Sequence, residues 1–337
     1  MPERILALAT RMSALTTEKV DRIQVVTKAT KILALNAMIE AQRAGAAGRG
    51  FGVVAEEVKS ISSQIMAIAD EVKTMFAEEV RNLHTTANLA RGARLSDLAG
   101  YAVELVDRNL YERSCDVRWW ATDSAVVEAC ATPSDLAAAH ASQRLGVILD
   151  SYTVYLDLWV ADRQGRVIAN GRPSRYQVQG QSVAEEPWFR DALATPSGEH
   201  YAVADIAASR PLGNRAVATY ATAIREGGTV DGRAIGVLGI FFDWEPQAQA
   251  IVTAPQLADA EKARTRVMLV DSRHQVIASS DGQGLLRERF PLRADGQPAG
   301  AYQQPDGTLV GFRLTPGYET YRGLGWYGVI AQRPAAN

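Results

Sequence analysis

The chain has 337 residues, 36 of them Lys or Arg and 38 Asp or Glu, for a formal net charge of -2. Hydrophobic residues make up 47% and charged residues 22%, a globular composition that excludes wholesale disorder, and without a basic excess nothing draws the chain to nucleic acid or anionic lipid. The longest apolar run, Ala234 to Phe242, is about half of the roughly 18 residues that a membrane span requires, and the N-terminus lacks a signal-peptide core, so the composition predicts a soluble, cytoplasmic protein.

Residues 1–93 contain no proline after Pro2 and are rich in Ala, Leu, Ile, Val, Glu and Lys, the composition of helices and coiled coils. Phe51, Val54, Val58, Ile61, Ile65, Ile68, Val72 and Met75 alternate three- and four-residue steps, an apolar seam about 37 Å long at about 1.5 Å per residue. Ile23, Val26, Thr30, Leu33 and Ala37 keep the same rhythm before it. Between the two runs lies Ala44 to Gly50, AGAAGRG, whose clustered glycines signal a turn. An antiparallel helical hairpin with its tip near Gly45 to Gly50 is the expectation.

Residues 94–150 stay helical in pattern and read as a long connecting helix, interrupted at Thr132-Pro133-Ser134-Asp135, where Ser134 or Asp135 can cap the next helical stretch. From about 151 the texture changes to short β runs with glycine turns, spread over segments 151–256 and 257–337. The segment VADRQGRVIAN, Val160 to Asn170, aligns without gaps to LVDSRHQVIAS, Leu269 to Ser279, at an offset of 109 residues. Each copy is strand, Asp-led turn, strand, with Asp162 matching Asp271. Two similar lobes in tandem are predicted. The fold class is thus mixed α and α/β: a helical hairpin, a long helix and two antiparallel-sheet lobes.

The stretch ILALNAMIEAQRAGAAGRGFGVVAEEVKSI, Ile32 to Ile61, resembles the tip of the cytoplasmic signalling domain of methyl-accepting chemotaxis proteins. LALNA, IEA, RAG, GRGF and VVAEEV stand in order around the predicted turn. The resemblance implies a hairpin that dimerises into a four-helix bundle and whose tip binds a chemotaxis histidine kinase and an adaptor protein. By position it assigns Asn36, Glu40, Arg43 and Val53 to receptor–receptor contacts between neighbouring dimers and to kinase contacts. Lys28 stands where the family usually has an aromatic residue, Lys31 where it has Asn, and Ala46 where it usually has an acid. Two lysines in that contact would repel their copies in neighbouring dimers. Glu56-Glu57 and Glu78-Glu79 are paired acids of the kind that adaptational methylation uses, and read more simply as solvated helix surface.

Residues from about 100 to 334 resemble a double Cache sensor, a long helix followed by two PAS-like lobes. The matching segments are DRQGRVIAN, EEPWFRDAL, YAVADIAAS and AIGVLGIFFDW, with TPGYETYRGLGWYGVIAQ fitting the last strands of the second lobe. Such sensors usually sit outside the membrane, and their first lobe binds a small organic ligand. The resemblance places Trp188 and Phe189 at the start of the helix that lines that pocket, and Tyr201, Asp205 and Tyr220 lie on following strands at positions that could face it. The amino-acid-binding version carries an arginine two residues before the tryptophan. Glu186 stands there, so Arg190, Arg210 or Arg215 would have to clamp a carboxylate instead.

Enzyme signals are poor. His84, His140, His200 and His274 have no metal-ligand spacing, Cys115 and Cys130 form neither a CxxC nor a disulfide framework, and no nucleophile-elbow or phosphate-loop motif occurs. The sequence therefore predicts a non-enzymatic, cofactor-free sensor acting through a dimeric hairpin. The alternative is a scaffold that modulates another receptor or kinase without sensing.

Overall fold

The computed structural model describes residues 2–335, with side chains from residue 7 onward. Helix α1 (Pro2–Arg43) passes through a 3-10 turn at Gly45–Gly48 into α2 (Arg49–Trp120), as the glycine cluster predicts. Gly45 holds φ +58°, which favours glycine, and a Cβ on Gly48 would stand 2.1 Å from the carbonyl oxygen of Ala41, so position 48 has no room for any other residue. Gln24 Nε2 donates to Asp70 Oδ1 at 2.6 Å and Lys73 Nζ to Asp21 Oδ1 at 2.9 Å, tying the two arms antiparallel.

The seam that closes the hairpin is not the one with the largest side chains. Buried positions recur every seven residues at Val20, Thr27, Ala34 and Ala41 on α1, and at Ala55, Ser62 and Ala69 on α2. Small side chains let the two backbones approach closely. The bulkier stripe is turned outward: Phe51, Val54, Ile61, Ile65, Ile68 and Met75 are between 40% and 78% exposed. The chain divides into two compact units, Met1–Arg91 and Gly92–Asn337, and α2 contributes to both.

The stretch 94–150, read from sequence as a long helix interrupted at 132–135, has that break and a second one at 121–123. α2 runs through residue 94 without a break to Trp120. It is followed by α3 (Ser124–Ala131) and α4 (Asp135–Ser151). The break at 121–123 is made by Asp123, whose side chain accepts from the Ala125 amide at 3.0 Å; Ser134 caps α4 by accepting from Ala137 at 3.2 Å.

The second unit continues as β1 (Tyr155–Asp162), β2 (Val167–Asn170), α5 (Pro187–Leu193), β3 (Ala202–Ser209), β4 (Arg215–Arg225), β5 (Ala234–Asp243) and α6 (Trp244–Thr253). After it come α7 (Asp259–Lys262), β6 (Thr265–Val270), β7 (Val276–Ser279), β8 (Ala299–Gln303), β9 (Leu309–Leu314) and β10 (Tyr327–Gln332). The strands form two antiparallel sheets, ordered β2-β1-β5-β4-β3 and β7-β6-β10-β9-β8, the same topology twice.

The internal repeat reappears in atomic detail. In β1–β2 the pairing runs Trp159 with Asn170 and slips between Val160 and Ala161; in β6–β7 it runs Met268 with Ser279 and slips between Leu269 and Val270. Asp162 Oδ1 accepts from the amides of Gln164 and Arg166, and Asp271 Oδ1 from those of Arg273 and Gln275. Each aspartate thus fixes its turn in the same way.

Both sheets turn one face to α2, whose Leu95, Ala99, Val103, Val106, Leu110 and Val117 form a buried stripe at helical spacing. The second lobe meets the stripe first. Gly311 and Gly328 have no room for a Cβ against Leu95 and Ala99, and Ser96 Oγ donates to the Phe312 carbonyl at 3.0 Å. The first lobe meets its C-terminal end, where Trp120 packs edge-on to Tyr155, 5.3 Å between centroids. There the Tyr155 hydroxyl donates to Asp116 Oδ2 at 2.6 Å, and Arg113 lies 3.2 Å from the same carboxylate. Burial raises the pKa of Asp116, an effect opposed by Tyr155 and Arg113.

Candidate functional site

The side of the first sheet turned away from α2 is covered by α5. Pro187 starts this helix at a position where a missing amide costs nothing. The next two residues, Trp188 and Phe189, then point into the sheet, 7% and 3% exposed. Trp188 meets Phe241 edge-on at 5.7 Å, and Trp159 lies on Phe241 at 4.1 Å. The indole of Trp188 rests on β5 because residue 239 is glycine: a Cβ there would be 2.9 Å from Trp188 Cζ3. Tyr176, Val183 and Leu212 complete this aromatic-rich layer.

Beneath it lies an organising group that the sequence reading missed. Asp157 is fully buried and accepts from the Leu158 and Arg172 amides, Trp159 Nε1 and Asn170 Nδ2, at 2.8 to 3.0 Å. Its burial raises the carboxyl pKa, which these four donors oppose. The carboxylate fixes Trp159, and through Phe241 the floor under Trp188. The signal was the first aspartate in YLDLWVAD, an acid inside an otherwise apolar strand.

The structure does not bring the five predicted ligand residues together. Trp188 and Phe189 lie on the outer face, whereas Tyr201 and Tyr220 belong to the inner layer facing α2, their rings stacked at 6.0 Å. On β4 the even positions, Ala216 to Ile224, face α2 and the odd ones, such as Val217 and Ala221, face α5. Asp205 Oδ1 accepts from Trp326 Nε1 of the second lobe at 2.9 Å, a structural bond between lobes.

The three arginines that could replace the missing clamp are not positioned to do so as a set. Arg215 is held by Asp243, with both carboxylate oxygens 2.8 Å from Nη2, Arg190 lies 3.7 Å from Glu185, and Arg210 is exposed. Burial pushes the Cys130 thiol up to about 12, which leaves it protonated and unreactive.

At the other end of the chain, Asn36, Glu40, Arg43 and Val53 are all exposed around the hairpin tip, and Arg43 Nη1 donates to Glu40 Oε1 at 2.8 Å. Lys28 is also exposed and Lys31 half-buried.

Comparisons with known proteins bear on both units. The family model described as methyl-accepting chemotaxis protein (MCP) signalling domain matches residues 6–104. Similar curated proteins include the methyl-accepting chemotaxis protein TlpA of Bacillus subtilis, 50% identical over 60 residues, which are 18% of this chain and 9% of TlpA. Another is the protein PilJ of Pseudomonas aeruginosa, 44% identical over 87 residues, 23% of this chain and 13% of PilJ. The matched segment therefore spans only a small part of those relatives.

Among solved structures, the sensor domain of the Vibrio cholerae histidine kinase DctB superposes with a TM-score of 0.55 at 14% identity, covering 75% of this chain and 99% of that one. The ligand-binding domain of the Pseudomonas aeruginosa chemoreceptor PctC, in complex with GABA, gives 0.53 at 17% identity, covering 72% and 99%. That of the Pseudomonas fluorescens chemoreceptor CtaA, in complex with L-serine, gives 0.51 at 13%, covering 72% and 97%.

These likenesses correct the expected cytoplasmic location. The fold is that of chemoreceptor and kinase sensor domains, a class met outside the membrane. That no described helix is long and apolar enough to cross a membrane does not fix a compartment. Residues 6–104 thus match the signalling-domain model of methyl-accepting chemotaxis proteins, and the tandem lobes have the double Cache-type fold of the sensor domains named above.

Proposed function

We propose that the chain is a chemotaxis signal transducer: its tandem lobes sense a small organic molecule, and its hairpin passes the result to a chemotaxis histidine kinase and adaptor protein. In this reading residues 1–93 are output, 151–256 form the ligand lobe and 257–337 the second lobe. The observation that carries it is α2, Arg49–Trp120, one unbroken helix that begins at the signalling hairpin and ends in the sensor core. A ligand biases such a helix only through unequal affinity for two arrangements of the lobes around it.

The ligand is assigned to the layer under α5, around Trp188 and Phe189, with Tyr201, Asp205 and Tyr220 outside it. Glu186 in place of the arginine argues against a plain α-amino acid. The outward apolar stripe on the hairpin, Phe51 to Met75, is assigned to a second copy of this chain, because an exposed face of that size and period is a coiled-coil seam without its partner.

The test is a thermal-shift screen of the full chain against amino acids, amines and carboxylates, with Trp188→Ala as control, beside capture of kinase and adaptor by wild type and Arg43→Ala. A ligand that stabilises wild type but not Trp188→Ala, with capture lost in Arg43→Ala, supports the reading. No ligand shift together with retained capture supports the alternative, a non-sensing scaffold, which the tight aromatic packing under α5 favours. No capture by wild type removes the chemotaxis output.

A further inference from the structure

The connection between β9 and β10, residues 315–326, reaches from the second lobe to α2 and the first lobe. Reciprocal backbone bonds between Tyr318 and Tyr321, at 2.8 and 2.9 Å, hold it as a tight loop. The Gly317 amide donates to Asp107 Oδ2 on α2 at 2.7 Å, and the Tyr318 ring meets Tyr111 edge-on at 5.4 Å. At its far end Trp326 Nε1 bonds Asp205 on β3, and the Tyr321 hydroxyl faces that of Tyr220 on β4. This strap is thus fastened to both the signalling helix and the first lobe.

Asp107 stands at its centre and is 1% exposed. While Oδ2 takes the Gly317 amide, Oδ1 has no hydrogen-bond partner, and neither does the buried Thr315 hydroxyl of the same junction. On α2, Arg108 is exposed with its guanidinium 5.0 Å over the Tyr318 ring, and Tyr111 is half-buried against the same ring. On the strap, Glu319 and Arg322 are both exposed, and Tyr318 and Tyr321 are phenols. From the first lobe come Tyr201, Tyr220 and Asp205, the last engaged by Trp326. No cation is paired with Asp107 among the described residues. A buried carboxylate with no cation beside it either takes up a proton or keeps an uncompensated charge.

We propose that Asp107 is a proton-binding site that couples docking of the 315–326 strap onto α2 to pH, giving the sensor a second input besides its organic ligand. The proton comes from water and goes to the partnerless Oδ1. The charge is removed, Oδ2 keeps the Gly317 amide, and Oδ1–H becomes a donor in a junction that also buries the hydroxyls of Thr315, Tyr220 and Tyr321. Burial holds this carboxyl up at about 6 from an ordinary 3.8. The docked strap therefore binds the proton more tightly than the undocked one, in which water solvates the carboxylate. Docking is strongest in acid, weakens as pH rises from about 4 to about 6, and then levels off. The proposal stands whether or not a ligand is ever found under α5.

The experiment is amide hydrogen exchange of the full chain, read by mass spectrometry on peptides covering 315–326 and corrected for intrinsic rates, from pH 4.5 to 7. Wild-type protection of the strap should fall by roughly tenfold or more over this range and flatten above about pH 6. Asp107→Asn, a neutral isostere, should keep acid-like protection at every pH. Strap protection in wild type that does not change with pH overturns the proposal by itself, even if Asp107→Asn does not fold. A well-folded Asp107→Asn that retains the wild-type pH profile overturns it as well.

Discussion

The indole Nε1 of Trp326 donates to Asp205 Oδ1 at 2.9 Å, binding the residue before the last strand of the second lobe to β3 of the first. Trp326 is 1% exposed and packs edge-on to Trp244 at 5.3 Å, whose own Nε1 donates to the Ile277 carbonyl at 2.5 Å. Each of these indoles therefore places its one donor on a defined acceptor within the unit. Trp326→Phe keeps an aromatic ring in the junction and removes that donor. Urea denaturation should show a loss of about 1 kcal/mol, and hydrogen exchange of β3 should rise, because Asp205 is half-exposed and water takes over part of the lost bond.

Gly239 carries the close approach of Trp188 to β5. In Gly239→Ala the new Cβ would stand 2.9 Å from Trp188 Cζ3, with Phe241 Cζ at 3.5 Å. Trp188 is 7% exposed and has little room to withdraw. A destabilisation of about 1–3 kcal/mol in urea titration is expected, while a change below about 0.5 kcal/mol would mean that the α5 layer is looser than its packing indicates.

The repeated aspartates give an internal control. Asp162 and Asp271 make the same pair of turn bonds, yet Asp271 is 2% exposed and Asp162 is half-buried. Alanine at either site frees two amides, but only at 162 does water reach the turn readily. Asp271→Ala should cost about 2 kcal/mol and Asp162→Ala about 1 kcal/mol, measured as unfolding free energies under one set of conditions. Equal losses would show that burial does not set the cost.

Acid should weaken the contact between α2 and α7. Arg94 donates to both oxygens of Glu261, at 2.5 and 3.0 Å, and this pairing lowers the Glu261 carboxyl to about 2 from an ordinary 4.5. A carboxyl depressed in the folded state adds stability above its unfolded pKa and loses it as pH falls, here between about 4.5 and 2. Arg94 is about half exposed, so solvent screening holds the gain below about 1 kcal/mol. Glu261→Gln should lower the melting temperature slightly at pH 7 and leave it unchanged near pH 2. A difference that persists near pH 2 would exclude the ion pair as its source.

Much of this molecule was legible in the sequence. The hairpin tip followed from glycines at 45, 48 and 50, since a turn with positive φ and a 2.1 Å approach has a local requirement. The two lobes followed from the repeat at Val160 and Leu269, whose Asp-led turns close within five residues. The long helix was legible as helix, but its ends were not. The period continues through residue 94, and the stop at 121–123 rests on a single Asp123 cap.

The candidate site was legible only in part, and the hairpin shows why. Sequence period identified two apolar stripes on its helices, yet the large one from Phe51 to Met75 stays exposed while Ala34, Ala41, Ala55 and Ala69 close the arms. Periodicity reports that a face is apolar, and not which surface covers it.

By itself, then, the sequence determined what is decided within a few residues: helix rhythm, turn chemistry, the tandem order of the lobes and the pairing of Trp188 with Phe189 at the start of α5. The tertiary structure alone decided which strand residues share a face. Tyr220 lies opposite Trp188 because β4 alternates from a register set by β3 and β5, and the pairing of β3 slips between Ala204 and Ala207. It alone joined Asp205 to Trp326, 121 residues away. It also left Asp107 in a buried junction built from two lobes and a helix. Such contacts depend on sheet register and on surfaces brought together by folding, and no local pattern of residues carries that information.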